Sequence, residues 1–314
     1  MKMINQNNFS ENNQVETYRD HSITNDEKLI SLFLRNLNSK NTKRSYQKAI
    51  EDFREFIPKN LNEITVGDIL DFSESLNDKA KTTKHNRLSA LTSLYSFGVK
   101  LGYLRYNPFA VINKPKIKDN GNTDKFLSKE EISSIWDQLR NKPRNAVIGA
   151  MLITLGLRVS ELCNIKCKHL FKDFEGNVGV HIVEAKGDKS RDVKIRSDVL
   201  SLIKTYRKSI GKKFEIPDIN NDDYLLVTRT NNRVAENYIR YIIDDATKKA
   251  GIDKKISPHW YRHSSASISI QNGCDLAKVT ESFGWSTLQI AKRYLHNLDK
   301  LKDTSADYVD VSLD

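Results

Sequence analysis

Four residues of this chain stand in an order that could handle a phosphodiester: Arg158, His259, Arg262 and Tyr294. Arg158 lies in Leu155-Gly156-Leu157-Arg158-Val159-Ser160-Glu161-Leu162. His259 and Arg262 share His259-Trp260-Tyr261-Arg262-His263. Tyr294 closes the run that begins Phe283-Gly284-Trp285-Ser286. A phosphodiester carries one negative charge and gains more in its transition state. Two guanidiniums can clamp it in fork geometry, and a phenol oxygen can attack it. No carboxylate cluster suited to Mg²⁺ lies near these segments, so charge stabilisation falls to Arg158 and Arg262. No metal and no cofactor is expected.

Each residue also has a plainer reading. Arg158 near the end of an apolar helix could be half of a surface ion pair with Glu161, three residues on. His259 and Arg262 could be ordinary residues at a helix start after Pro258. His259 and His263 stand four apart, as zinc ligands on a helix do, but that pattern needs glutamate after the first histidine and position 260 is Trp. The charged run Lys186-Gly187-Asp188-Lys189-Ser190-Arg191 could be a solvated hairpin. Tyr294 could be a core aromatic.

Taken together, the order and spacing resemble the tyrosine recombinase (phage integrase) family, and its Xer-like site-specific recombinases in particular. The resemblance spans nearly the whole chain. It implies that Arg158 and Arg262 bind the scissile phosphate and that Glu161 buttresses the site. It implies that His259 acts on the nucleophile's proton, with His263 supporting the helix. Lys186 aligns best with the hairpin lysine that protonates the departing 5′ oxygen, and Lys189 is the second choice. Tyr294 is the implied nucleophile, attacking to form a 3′-phosphotyrosyl bond. Trp285 departs from the usual histidine. Its indole N–H can still donate a hydrogen bond to a phosphate oxygen but cannot take up a proton.

These side chains must be carried by a scaffold, and the pattern gives most of it. Residues 1–24 are polar and low in apolar anchors, and read as disordered. From Asp26 the spacing of Leu29, Ile30, Phe33, Leu34 and Leu37 predicts a helix. Asn41 and Thr42 can cap a second helix, Thr65 a third, and Thr82-Thr83 opens a fourth. Residues 113–123 have no apolar period and read as a linker. Ser128 to Glu131 is a capping box, and an apolar helix follows over Ala146 to Leu155. Val178 to Val183 and Asp192 to Ile195 are β-like, and helical patterns resume at Leu200, Asn237 and His259.

The expected fold is therefore mainly α with a small β-sheet. With the resemblance, residues 25–112 form an all-α core-binding (SAM-like) domain and 124–300 a mixed α/β catalytic domain. Residues 301–314 form a tail that docks on a neighbouring protomer, as family tails do.

The 314 residues carry 29% charged residues and a net charge of +11. That balance favours a polyanionic partner, here double-stranded DNA. The expected phosphate contacts are Lys43, Arg44, Lys84 and Arg87 in the first domain, with Lys189 and Arg191 on the hairpin. The family acts as a tetramer on two DNA sites, in some cases with accessory DNA-bending proteins. No apolar run approaches the roughly 20 residues of a membrane span, and the N-terminus lacks an apolar signal core, so the expected location is the cytoplasm. Three cysteines, Cys163, Cys167 and Cys274, read as reduced packing thiols. Two other readings share some of these features: a type IB topoisomerase-like nicking enzyme, and a DNA-binding accessory protein that does not cleave.

Overall fold

The computed structural model describes residues 23–116, 125–183, 190–292 and 294. The chain divides into two compact units, Met1–Lys118 and Asp119–Asp314.

Among the described residues of the first unit, four α-helices form: α1 (Asp26–Asn36), α2 (Lys40–Phe56), α3 (Val66–Ser75) and α4 (Lys81–Lys100). Their starts follow capping chemistry. Asn25 accepts the Lys28 N–H at 2.9 Å, and Thr65 and Asp68 cap one another reciprocally. Helix α2 begins before Asn41, because the Ser39 hydroxyl takes the Thr42 N–H. Leu29, Ile50, Phe53, Phe72, Leu91 and Tyr95 are buried together, each worth about 1.5–3 kcal/mol against exposure. Phe53 meets Phe72 edge-on at 5.0 Å. Asp26 is buried among them without penalty, since its carboxylate accepts the Leu61 N–H and the Tyr103 hydroxyl, both at 2.8 Å.

In the second unit, α5 (Lys129–Leu139) and α6 (Pro143–Leu155) lead to a short α7 (Val159–Asn164). A three-stranded sheet follows, then α8 (Ser197–Ser209), α9 (Glu236–Lys249), α10 (Pro258–Gln271), α11 (Leu276–Phe283) and α12 (Leu288–Lys292). From Ala146 to Leu152 helix α6 is an unbroken apolar run because every residue of it is buried. It packs against α5, α8 and α10. The strands β1 (Leu170–Lys172), β2 (Val178–Ile182) and β3 (Arg191–Lys194) run antiparallel in that order. Val180 stands opposite Leu170 on one side and Val193 on the other. Sequence periodicity does not reveal β1, because three residues are too few to display alternation. No helix among the described residues is long and apolar enough to cross a membrane. Cys163 and Cys167 are buried as expected of packing thiols, but Cys274 is exposed just past the end of α10.

Two helix ends bring the functional segments together. Gly156 caps α6 and Gly284 caps α11, both left-handed with φ 60°. At Gly156 the ring of Phe283 fills the space a Cβ would need, and at Gly284 a Cβ would stand 2.9 Å from the Arg191 guanidinium. Gly156→Ala therefore combines left-handed strain with overpacking, a cost of about 2–5 kcal/mol. Thermal unfolding should show a fall in Tm of at least about 5 °C. An unchanged Tm would mean that the Gly156–Phe283 approach is not a structural requirement.

Candidate active site

The site is built around one buried carboxylate. Glu161 sits in the first turn of α7, where it accepts the backbone N–H of Arg158, the helix N-cap, at 2.8 Å. The same carboxylate accepts Arg158 Nη1 at 2.8 Å. It also accepts both terminal nitrogens of Arg191, at 3.2 and 2.9 Å. Burial alone would raise the Glu161 pKa. The hydrogen bond and charge of Arg191, with help from the Arg158 N–H and Arg262, reverse that and hold it below the ordinary glutamate value. Glu161 thus stays ionised and fixes two guanidiniums.

Arg191 is a correction to the expectation of a DNA contact. It is only 6% exposed. Its Nε donates to the Ser282 carbonyl at 2.8 Å, and its outer nitrogens face Glu161. Strand β3 alternates inward and outward side chains, and Arg191 falls on the inward face. A charged run beside a hairpin looks solvated in sequence, but this member of it is an internal counterion.

Arg262 is the second buried guanidinium, 5% exposed. Its Nη1 donates to the Gly156 carbonyl at 2.6 Å, and its Nη2 donates to the Phe283 carbonyl. These acceptors lie at the C-terminal ends of α6 and α11, where helix carbonyls are otherwise unmet. The guanidinium also lies over the rings of Phe283 and Trp285, at 5.0 and 5.8 Å from their centroids. Burial lowers its pKa to about 10, opposed by Glu161 and reinforced by Arg158 and Arg191. It remains a cation at neutral pH.

His259 and His263 lie one turn apart on α10. His259 is exposed, yet desolvation by the protein around it, followed by Arg240, Arg262 and Arg158, lowers its pKa. His263 is further enclosed, and burial with His259, Arg262 and Lys125 brings its pKa to about 4. Its Nδ1 lies 2.5 Å from the phenol oxygen of Tyr294.

Tyr294 follows α12, its N–H bonded to the Ala291 carbonyl at 3.0 Å. Its ring stacks on Trp285 with centroids 5.2 Å apart and planes 5° from parallel. Trp285 in turn leans on Phe283 at 5.0 Å. These rings cover a small apolar cluster of Ala266, Ile270, Val279 and Phe283. Trp285 is therefore a platform under Tyr294 as well as a candidate N–H donor. The two contributions separate by mutation. Trp285→Phe keeps a ring and removes the donor, with an expected loss of about 1–3 kcal/mol of transition-state stabilisation. Trp285→Ala should lose a further ~0.5–1.5 kcal/mol, the worth of the stack. Single-turnover cleavage rates measure both. Phe at the wild-type rate would assign Trp285 to packing alone.

Of the residues expected to touch chemistry, Arg158, Glu161, His259, Arg262, His263, Trp285 and Tyr294 come together here. Lys186 and Lys189 lie outside the described residues, as does the 301–314 tail. In the first unit, Lys43 and Arg44 are exposed on α2. Lys84 donates to Asn77 at 2.8 Å, and Arg87 pairs with Asp52, so part of its charge is neutralised within the unit. Sequence reasoning passed over Arg240, Phe283 and Lys125, whose neighbours are distant in the chain. Among the described residues no group of three or more His, Cys, Asp and Glu side chains could hold a metal ion.

A mostly helical unit with a small sheet, a buried carboxylate holding Arg158 and Arg191, a second buried arginine in Arg262 and a stacked tyrosine at a helix end define a class. The Phage integrase family model matches residues 125–300, and the model for the Phage integrase N-terminal SAM-like domain matches residues 29–102. The chain belongs to the phage integrase family, the tyrosine recombinases. It is a site-specific DNA recombinase.

The Tyrosine recombinase XerC of Thermodesulfovibrio yellowstonii is 27% identical over 291 residues, covering 87% of this chain and 93% of that one. The Tyrosine recombinase XerC of Halalkalibacterium halodurans is 31% identical over 234 residues, covering 71% and 74%. Among solved structures, the fold is shared with the XerH site-specific recombinase bound to difH substrate in a pre-cleavage complex. The TM-score is 0.70 at 20% identity, over 90% of this chain and 94% of that one. It is also shared with a lambda integrase tetramer bound to a Holliday junction, at TM-score 0.67 and 14% identity, over 85% and 75%.

Proposed function

We propose that this chain cleaves and rejoins double-stranded DNA through Tyr294, with Arg158 and Arg262 as the phosphate clamp. Tyr294 Oη bonds to the scissile phosphorus, leaving a 3′-phosphotyrosyl link and a 5′ hydroxyl. A 5′ hydroxyl from the partner duplex then reverses the attack. The bond energy is kept in the covalent link, so the exchange requires no nucleotide hydrolysis. The observation that carries this reading is the convergence of Arg158, Arg262 and Tyr294 around Glu161 and Trp285. Preorganised cations in a partly dry site stabilise developing negative charge strongly.

Lys186 is the proposed acid for the departing 5′ oxygen, with Lys189 in second place. A lysine can fill that role where cationic neighbours lower its pKa. A 5′-bridging phosphorothiolate leaves without protonation. It should therefore rescue cleavage by Lys186→Ala more than by Arg262→Ala. Equal rescue of both, or rescue of Lys189→Ala instead, moves the acid away from Lys186.

Lys43, Arg44 and Lys84 are proposed to hold the DNA backbone. The assembly is proposed to be four copies on two duplexes, in line with the lambda integrase tetramer among the fold neighbours. Accessory DNA-bending proteins, a docking role for residues 301–314 and a cytoplasmic location belong to the same proposal. Mapping covalently trapped DNA ends across the host genome tests the reading and returns the target. Ends that cluster at one sequence, with exchange that needs two such sites, support recombination. Scattered ends with relaxation of single duplexes would assign a topoisomerase-like nicking enzyme. Binding with no covalent ends would assign a non-cleaving accessory protein.

A further inference from the structure

Arg191 ties the arginine clamp to the platform under the tyrosine. It opens β3, opposite Ile182 of β2, and its side chain is buried. Its outer nitrogens donate to Glu161 at 3.2 and 2.9 Å, on the carboxylate that also holds Arg158 Nη1 at 2.8 Å. Its Nε donates to the Ser282 carbonyl at 2.8 Å. The next carbonyl, that of Phe283, accepts Arg262. Gly284 then turns the chain against the Arg191 guanidinium, and Trp285 follows, stacked on Tyr294. We infer that Arg191 is a positioning residue for strand cleavage: through Glu161 it sets the Arg158 fork, and through Ser282 it sets the turn that carries Trp285. The inference rests on the reading of Arg158 as part of the phosphate clamp and of Tyr294 as the nucleophile.

A buried ion pair is a weak source of stability, because its desolvation cost rivals its attraction. What this one supplies is direction. Hydrogen bonds from one planar guanidinium fix a strand start, a carboxylate on α7 and the last turn of α11 at once. The Arg158 side chain is half-buried, so its aim depends on the carboxylate beside it. The charge matters as well. Glu161 faces Arg158 at the start of α7, Arg191 from β3 and Arg262 from α10. Lys166, Lys168 and His169 after α7, with His181 of β2 and Tyr224, line the cavity beside it. Burial pushes the Glu161 pKa up, and Arg191 is the strongest force against that push. With Arg191 removed, the carboxylate takes a proton on acidification. A neutral acid holds Arg158 less firmly than a carboxylate does.

The test uses a nicked duplex carrying the site recovered by covalent trapping, so that cleavage is irreversible. Single-turnover rates are measured from pH 5.5 to 9 for the wild type, Arg191→Met, Arg191→Lys, Glu161→Gln and the Arg191→Met/Glu161→Gln double variant. Arg191→Met should slow cleavage by about 10²-fold at pH 7, the scale of a misaimed group. Its deficit against the wild type should widen towards pH 5.5, as Glu161 takes a proton. The double variant has no carboxylate to titrate at this place, so its deficit should stay constant with pH. At pH 7 it should be no slower than the slower single variant, because both changes act through one pair. Arg191→Lys keeps the charge and loses the fork. It should slow cleavage less, with a deficit that does not widen. The slope of log affinity for DNA against log salt should match the wild type throughout, whereas loss of a phosphate contact lowers it by about one. A constant deficit in Arg191→Met, single effects that multiply in the double variant, or a reduced salt slope overturns the inference. If Arg191→Met does not fold, Arg191→Lys decides. Cleavage at the wild-type rate overturns the inference, and slowed cleavage with an unchanged salt slope supports it. If the wild type forms no adduct at Tyr294, or Arg158→Ala cleaves at the wild-type rate, the reading beneath falls and this inference with it. An adduct at Tyr294 with independent effects at Arg191 and Glu161 removes only the inference.

Discussion

Tyr294→Phe should bind DNA as the wild type does and produce no detectable cleavage. The substitution removes one oxygen and keeps the ring, so the stack on Trp285 at 5.2 Å survives. The loss is of the nucleophile itself. Tyr261 is the tyrosine preceding Tyr294 in the sequence, but it is 2% exposed. Its hydroxyl has no hydrogen-bond partner among the described residues. Burial raises its pKa well above the ordinary phenol value. It is a core residue of α10. Band-shift affinity and denaturing-gel cleavage, measured side by side, check this expectation. Residual cleavage by Tyr294→Phe at more than a trace would place the nucleophile elsewhere.

Arg262→Ala should slow cleavage by at least about 10²-fold, the usual scale for one preorganised donor, while DNA affinity falls much less. Many phosphate contacts serve binding, but few groups stand beside Tyr294. The same substitution should also lower the stability of the second unit. It strips donors from the Gly156 and Phe283 carbonyls, which tie the ends of α6 and α11 together. Leaving buried acceptors unmet costs about 1–3 kcal/mol each. Arg262→Lys separates the two effects, because it keeps the charge and loses the fork. Cleavage and affinity falling in equal proportion would make Arg262 a binding group instead of a transition-state group.

Much of this site was legible because its key spacings are local. His259, Arg262 and His263 sit within little more than one turn of α10, so a helix places them together whatever the fold does elsewhere. Gly156 before Arg158 and Gly284 before Trp285 are equally local, each marking the left-handed end of a helix. The capping pairs Thr65–Asp68 and Ser128–Glu131 gave helix starts for the same reason. The parts that sequence did not yield depend on contacts across the chain. Arg191 reaches Glu161 over 30 residues, and nothing in its neighbourhood distinguishes it from solvated lysines. The division of partners between His259 and His263 depends on where Tyr294 lands, 31 residues beyond His263. Cys274 is exposed because it falls just after the end of α10, a boundary that apolar periodicity does not fix to the residue.

The chemistry of the trapped adduct is the sharpest test of Tyr294 as the nucleophile. The wild-type protein is incubated with a nicked duplex bearing its site, the covalent complex is digested with trypsin and nuclease, and the modified peptide is sequenced by mass spectrometry. The expected product is a nucleotide joined through its 3′ phosphate to Tyr294, with a free 5′ hydroxyl on the other DNA end. Attachment at Tyr261 or any other side chain, or attachment through a 5′ phosphate, would contradict it.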